Sequence, residues 1–163
     1  MEWDWKKITR RAVLVALVFV LGWVIRTFAV GERTQMLRVQ EHFIQALEKR
    51  NWKTVDAMVC ADYADEWGQD AALLKDDMRK LLGSFLFLSI EPTVTDARTA
   101  SGLGMVKTKL KIVGNGAGLS TMVMAEANRL KQPWVFHWHK RGCWPWSWEL
   151  VQIDNPEVRY GRP

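Results

Sequence analysis

The sequence predicts an α+β domain behind an N-terminal transmembrane helix, on three observations. Residues 12–30 form an apolar run with a single charge, Arg26. Apolar residues then recur at helical spacing in three stretches as far as Leu82. From Phe85 onward the pattern changes to alternation broken by Gly, Asn and Pro turns, which reads as strands. Helices first and strands after, without strand–helix alternation, predicts helices on one face of a curved antiparallel sheet.

Residues 1–11 are basic, with Lys6, Lys7, Arg10 and Arg11 ahead of the apolar run. A helix over residues 12–30 rises roughly 28 Å at 1.5 Å per residue, close to the ~30 Å hydrocarbon core of a bilayer. Two readings compete, because the uncharged part, residues 12–25, is only 14 residues long. In a signal-anchor helix, Arg26 snorkels to the headgroups and Trp3, Trp5 and Trp23 are interfacial aromatics. In a cleaved signal peptide, 14 apolar residues make an h-region, with small residues at 29–31. Arg26 and the bulky residues near that site favour the anchor. A surface-lying amphipathic helix does not fit, since the run is apolar all round. The charges before the run place the N-terminus in the cytoplasm and residues 34–156 in the periplasm or outside the cell. Only residues 31–33 separate the anchor from the domain, which predicts a domain held close to the bilayer.

The elements follow in order. Thr34 caps a helix to about Lys49, with Met36, Val39, Phe43, Ile44 and Leu47 on one stripe. Asn51 caps a short helix to about Cys60 that buries Val55 and Val59. A turn or short strand covers residues 62–68. Asp70 caps a third helix to about Leu82, with Leu73, Leu74, Met78, Leu81 and Leu82 inward and Gly83 as its stop. Five strands are expected over residues 85–94, 103–113, 119–130, 134–140 and 144–153, with a loop at 96–100 and Arg141-Gly142 as the last turn. The glycine cluster at 114–118 reads as a hairpin turn, since no Lys-Ser/Thr pair follows to hold a phosphate. Residues 157–163 are a tail.

Charge and cysteines exclude some functions. The chain carries 23 basic and 18 acidic residues, a net +5. Residues 1–33 hold six of the basic and three of the acidic ones, so more than half of the excess is a topogenic flank. That removes the argument for nucleic acid. Lys107, Lys109 and Lys111 alternate with Val106, Thr108, Leu110 and Ile112, the pattern of a solvated strand face. Cys60 and Cys143 have no metal spacing. A disulfide is chemically allowed in an exported domain, but two buried free thiols is the favoured reading.

Residues 43–52 (FIQALEKRNW), 61–68 (ADYADEWG) and 138–151, with its Gly142-Cys143-Trp144 hairpin, resemble the nuclear transport factor 2-like superfamily. That superfamily includes polyketide-cyclase-like and ketosteroid-isomerase-like proteins. The resemblance covers residues 34–156 and implies a cone-shaped α+β barrel, three helices packed on the curved sheet. It also implies that dimers form through the convex sheet face. The fold hosts enzymes, binders and structural modules alike. Isomerase-like members place a Tyr and two Asp inward. No inward strand Asp can be matched here, with Asp96 in a loop and Glu91 before a proline.

Candidate site residues divide into two groups. An acid–base pair in the cone would draw on Tyr63, Asp65, Glu126, His137 and Glu149. Tyr63 and Trp67 fall where the superfamily rims its pocket; Asp62 and Asp65 read as turn caps, and Asp76 and Asp77 as solvated. The aromatic group is Trp67, Trp134, Phe136, Trp138, Trp144, Trp146 and Trp148, read as core, partner surface, membrane interface or ligand cavity. His137 and His139 point the same way but lack a clear third ligand among Glu126 and Glu149, so no metal and no cofactor is expected. The favoured function is a single-pass membrane protein presenting a non-catalytic binding domain to a protein partner or a second copy. Membrane-anchored domains of bacterial secretion machines are the analogy. The alternative is an anchored ligand binder, isomerase or dehydratase using the cone.

Overall fold

The computed structural model describes residues 13, 15–22, 30–116 and 118–158. The chain divides into two units, Met1–Gly31 and Glu32–Pro163. In the first, residues 13 and 15–22 are helical, and their apolar side chains, Val18 and Phe19 among them, are exposed. Among the described residues no helix is long and apolar enough to cross a membrane. The expectations for the basic N-terminus, Trp3, Trp5, Trp23, Arg26 and the rest of residues 12–30 lie outside the described residues.

Among the described residues the second unit holds four helices and four strands. Helices α1 (Glu32–Glu48), α2 (Trp52–Met58) and α3 (Ala71–Gly83) come first. Helices α2 and α3 form where their caps and periodicity dictate, whereas α1 begins two residues before Thr34, which lies inside its first turn and does not cap it. Asn51 accepts the Thr54 N–H, and Asp70 accepts those of Ala72 and Leu73. The α1 stripe of Met36, Val39, Phe43, Ile44 and Leu47 is buried throughout. On α3, Leu74 and Leu82 are buried, whereas Leu73 is exposed, against expectation. Among the described residues the hydrophobic core lies between Met36 and Ile153.

Strands β1 (Phe85–Ala100), β2 (Leu103–Gly116), β3 (Trp134–Lys140) and β4 (Trp148–Asp154) make one antiparallel meander in sequence order. The expected loop at 96–100 is instead strand. Ala97 points inward, Asp96 pairs with Arg98 on the outside, and a bulge between Val94 and Asp96 bends the ribbon. The turn is Ser101-Gly102, with φ of 50° and 76°, the positive pair that a two-residue hairpin turn demands.

The expected third strand is a helix, α4 (Leu119–Arg129), and the sheet has four strands rather than five. Residues 120, 123, 124 and 127 face inward at helical spacing, and Gly118, with φ of 63°, turns the chain into the helix. The residues at 114–116 are strand, so the glycine cluster is not a hairpin turn. Beyond Thr108, β2 parts from β3. Asn128 of α4 takes the place of the missing strand: its side chain accepts the Ile112 N–H and donates to the Ile112 carbonyl, both at 2.7 Å. The outer edge of β1 is covered from α1 and its end. Glu48 accepts the Ile90 N–H, and Arg33 and Arg50 donate to the Ala97 and Phe85 carbonyls.

Candidate functional site

The inward face of the sheet and helices α1, α3 and α4 enclose a cavity of about 190 Å³. Its buried walls are Phe43, Ile44 and Leu47 from α1, Leu74 and Leu82 from α3, and Ile90, Ile112, Phe136 and Ile153 from the strands. Half-buried Trp67, Met78, Leu110, Val123 and Trp134 mark where it opens. Trp67 meets Trp134 edge-on, with centroids 6.2 Å apart, and its indole donates to the Val158 carbonyl at 3.0 Å. The polar lining is Gln69 and Asp77. They bond to each other, Gln69 Nε2 donating to Asp77 Oδ2 at 2.6 Å. Asp77 is therefore not simply solvated. It shares the Leu74, Met78, Leu81 stripe, a spacing that could have placed it.

The acid–base candidates do not converge. Tyr63 is buried, but outside the cavity wall. Its hydroxyl donates to Asp65 Oδ2 at 3.1 Å and accepts the Ile153 N–H at 3.2 Å, bracing the 60–70 loop against β4. Burial, and then the charge and hydrogen bond of Asp65, push its pKa far above the usual 10.0. Asp65 is a turn cap, accepting the N–H groups of Trp67 and Gln69 at 3.0 and 2.9 Å. Glu126 is exposed on α4 and forked by Arg129, whose hydrogen bond lowers its pKa. Glu149 pairs with Arg141 at 3.3 Å. His137 lies on the outer sheet face and pairs with Asp154 at 2.9 Å, a partner the sequence reading did not name. Among the described residues, no three His, Cys, Asp or Glu gather as a metal site.

The aromatic residues separate as well. Phe136, Trp138 and Trp148 are core. Phe43 stands edge-on to Phe136 and Trp138, at 6.4 and 5.7 Å, and Gln40 accepts the Trp138 indole N–H at 2.8 Å. Trp144 and Trp146 are not on a strand. The predicted tight turn is a loop over residues 141–147, where the two indoles stack at 5.2 Å and stay 50% and 59% exposed. The same loop leaves Cys143 exposed rather than buried; Cys60 is buried, and both thiols are free. Arg141 reaches back to donate to Cys60 Sγ at 3.0 Å.

The outer sheet face is polar. Lys107, Lys109 and Lys111 stand on it as the alternation predicts, with Lys111 paired to Glu91 at 2.9 Å. Exposed apolar residues gather instead at the strand ends: Leu86, Phe87, Leu119 and Met122 where β1 and α4 begin, and Leu103, Trp144 and Trp146 at the other end.

No protein-family model matches the sequence, and no curated protein does. Solved structures match the fold. Bdellovibrio bacteriovorus Bd1075 aligns with 74% of this chain at 10% identity and a TM-score of 0.56, the match spanning only 38% of that protein. An NTF2-like protein from Cytophaga hutchinsonii aligns with 76% of this chain and 96% of its own length, at 11% identity and a TM-score of 0.54. A putative dehydratase from the NTF2-like family from Streptomyces avermitilis aligns with 74% of this chain and 91% of its own, at 14% identity and a TM-score of 0.50. The fold is α+β and NTF2-like, with a four-stranded antiparallel sheet.

Proposed function

We propose that this chain is a membrane-tethered, non-catalytic binding protein whose NTF2-like domain takes an uncharged apolar ligand into its cone. The observation that carries the reading is the cavity lining: aliphatic and aromatic walls, with its two polar side chains spent on each other. A dehydratase or isomerase needs an acid and a base aimed at one point. Among the described residues Asp77 is the one ionisable group in the wall, and its partner is an amide. The tether is supported by the apolar composition of residues 12–30 and by the exposed apolar helix over residues 15–22. The basic flank supports a cytoplasmic N-terminus with the domain on the far side.

The test uses the Glu32–Pro163 unit and the uncharged fluorophore N-phenyl-1-naphthylamine. One saturable site is expected, lost when Met78→Trp fills the cavity. Absence of a saturable site sinks the ligand reading. Enolisable-ketone proton exchange that is catalysed by the domain and lost in Asp77→Asn would establish the enzyme instead. A protein partner or second copy is the second reading, favoured by the exposed Leu86, Phe87, Leu119 and Met122. A Phe87→Glu change that dissociates an oligomer seen by light scattering would support it.

A further inference from the structure

The sheet comes apart at the mouth of the cavity, and one backbone pair is left over there. Strand β2 pairs with β3 from Leu103 to Thr108, where Thr108 stands opposite Trp134. The next β2 residue whose backbone faces that side is Leu110, because the bonds of an antiparallel ladder repeat every second residue. Two sets of bonds fix this parity. The Gly102 carbonyl accepts the Lys140 N–H at 2.8 Å, and the Ile112 N–H and carbonyl go to Asn128. On the β1 side Leu110 stands opposite Pro92, in the same kind of pair as Ile112 and Ile90, whose N–H turns outward to Glu48. The Leu110 backbone is therefore not spent on β1.

Continued by two residues, the β2–β3 register would set Gln132 against Leu110, but the chain has left the sheet there. Pro133 has no N–H to give. The Gln132 carbonyl accepts from Asn155 at 3.2 Å, and the Lys131 N–H goes to Glu157 at 2.7 Å. Among the described residues, nothing bonds to the Leu110 N–H or to its carbonyl. Leu110 is half-buried and lines the cavity with Val123 and Trp134, so this donor and acceptor stand at the cavity mouth. Backbone groups set into a protein surface of this kind are nearly always answered, and in ligand sites they are among the few polar groups that fix orientation.

The next residue along shows what answers such a pair. Asn128 presents a primary amide to Ile112, its oxygen accepting the N–H and its nitrogen donating to the carbonyl, both at 2.7 Å. One planar, uncharged carboxamide thus satisfies both groups of a strand residue. A trans secondary amide points its N–H and C=O in opposite directions and meets only one of them. An added strand would meet both, but α4 holds that side of β2 through Asn128. We infer that Leu110 reads a second carboxamide, carried by the ligand, so that the cone takes a primary amide with its apolar chain in the cavity and its head at Leu110.

The inference rests on the ligand reading proposed above and names the polar end of that ligand. The test uses the full chain in phosphatidylcholine nanodiscs, with octanamide as the probe. Leu110 is replaced by its α-hydroxy acid, which turns the N–H into an ester oxygen and leaves the side chain as it was. Affinity is read by displacement of N-phenyl-1-naphthylamine, counting only the fluorescence that Met78→Trp abolishes. Octanamide affinity is expected to fall about tenfold on the replacement, the effect of one lost hydrogen bond, while fluorophore affinity stays the same. In the unmodified chain, saturating octanamide should slow deuterium exchange at the Leu110 amide and leave Ile112 unchanged. A fluorophore that binds while octanamide fails to compete, or competes equally in both chains, overturns the carboxamide and leaves the cone as a site. Absence of any fluorescence sensitive to Met78→Trp removes the cone reading and the carboxamide with it.

Discussion

Tyr63 holds its proton because burial disfavours the phenolate and its bond to Asp65 needs the hydroxyl as donor, which outweighs the Ile153 amide. The hydroxyl donates to Asp65 and accepts from the Ile153 amide, and burial beside a carboxylate raises its pKa above 10.0. The folded state therefore keeps a proton that the unfolded chain loses. Stability from this group is complete below the unfolded value and is lost as pH rises above 10 and on through the folded value. Urea unfolding of the Glu32–Pro163 unit should show a loss of stability above pH 10 that Tyr63→Phe reduces. At pH 7 the same substitution orphans the buried Ile153 amide and should cost about 1–3 kcal/mol. Ligand affinity should not change, because Tyr63 lies off the cavity wall. Asp77, in contrast, lies in the cavity wall and acts on affinity. Asp77→Leu replaces a polar group of the lining by an apolar one and should tighten binding of an uncharged fluorophore several-fold in the same titration, whereas Asp77→Asn removes the charge but keeps a polar group bonded to Gln69 and should shift it less than twofold.

At the scale of elements, α4 depends on one side chain for its register. Asn128 satisfies both backbone groups of Ile112 where β2 has no strand neighbour on its β3 side. Asn128→Ala leaves both unpaired and should cost about 1–3 kcal/mol, with faster amide exchange at Ile112 as the local readout. Gly114→Ala probes the same end from the other side: an added Cβ would lie 2.7 Å from both the Phe87 carbonyl and the Phe85 ring. The lost stability should be about 1–3 kcal/mol, the usual cost of overpacking. Helices α2 and α3 were legible because caps at Asn51 and Asp70 coincide with apolar stripes, and α1 was legible from its stripe alone. Helix α4 was not. Its Met, Val and Thr suit a strand locally, and its polar outer face makes short windows look alternating; the 120, 123, 124, 127 spacing decides only over its full length. The 141–147 loop was misread for a related reason. Alternating tryptophans mimic a strand, but Pro145 between two of them cannot donate to a ladder. Trp67, Trp134 and Phe136, which line the cavity, stand among the aromatics that the sequence singles out without deciding between core, partner surface and ligand cavity. The α1 and α3 aliphatics that complete the cavity were read as core, because core and cavity wall share one periodicity.

Across the whole Glu32–Pro163 unit, apolar surface is placed where it can be used: in a sealed core, in an open cavity and at two strand ends, with a charged sheet face between. A cavity in a folded interior forfeits packing contacts, so a fold that keeps one is less stable empty than filled. Ligand binding and cavity filling should therefore act on one quantity. With fluorophore at a hundred times its dissociation constant, linkage adds about 2.7 kcal/mol to the stability of the native state. For a domain of this size that is a rise of roughly 8 °C in Tm. Met78→Trp should raise the Tm of the empty domain and abolish the rise on adding ligand. The two effects have opposite consequences for the ligand-dependent shift, which a variant that merely misfolds cannot reproduce: it would lose the shift and lower the starting Tm together. Differential scanning calorimetry of both proteins, with and without fluorophore, reads all four values. A starting Tm that falls with Met78→Trp while the parent shows no ligand shift would mean that the space is packed in solution and the cone is a core, not a site.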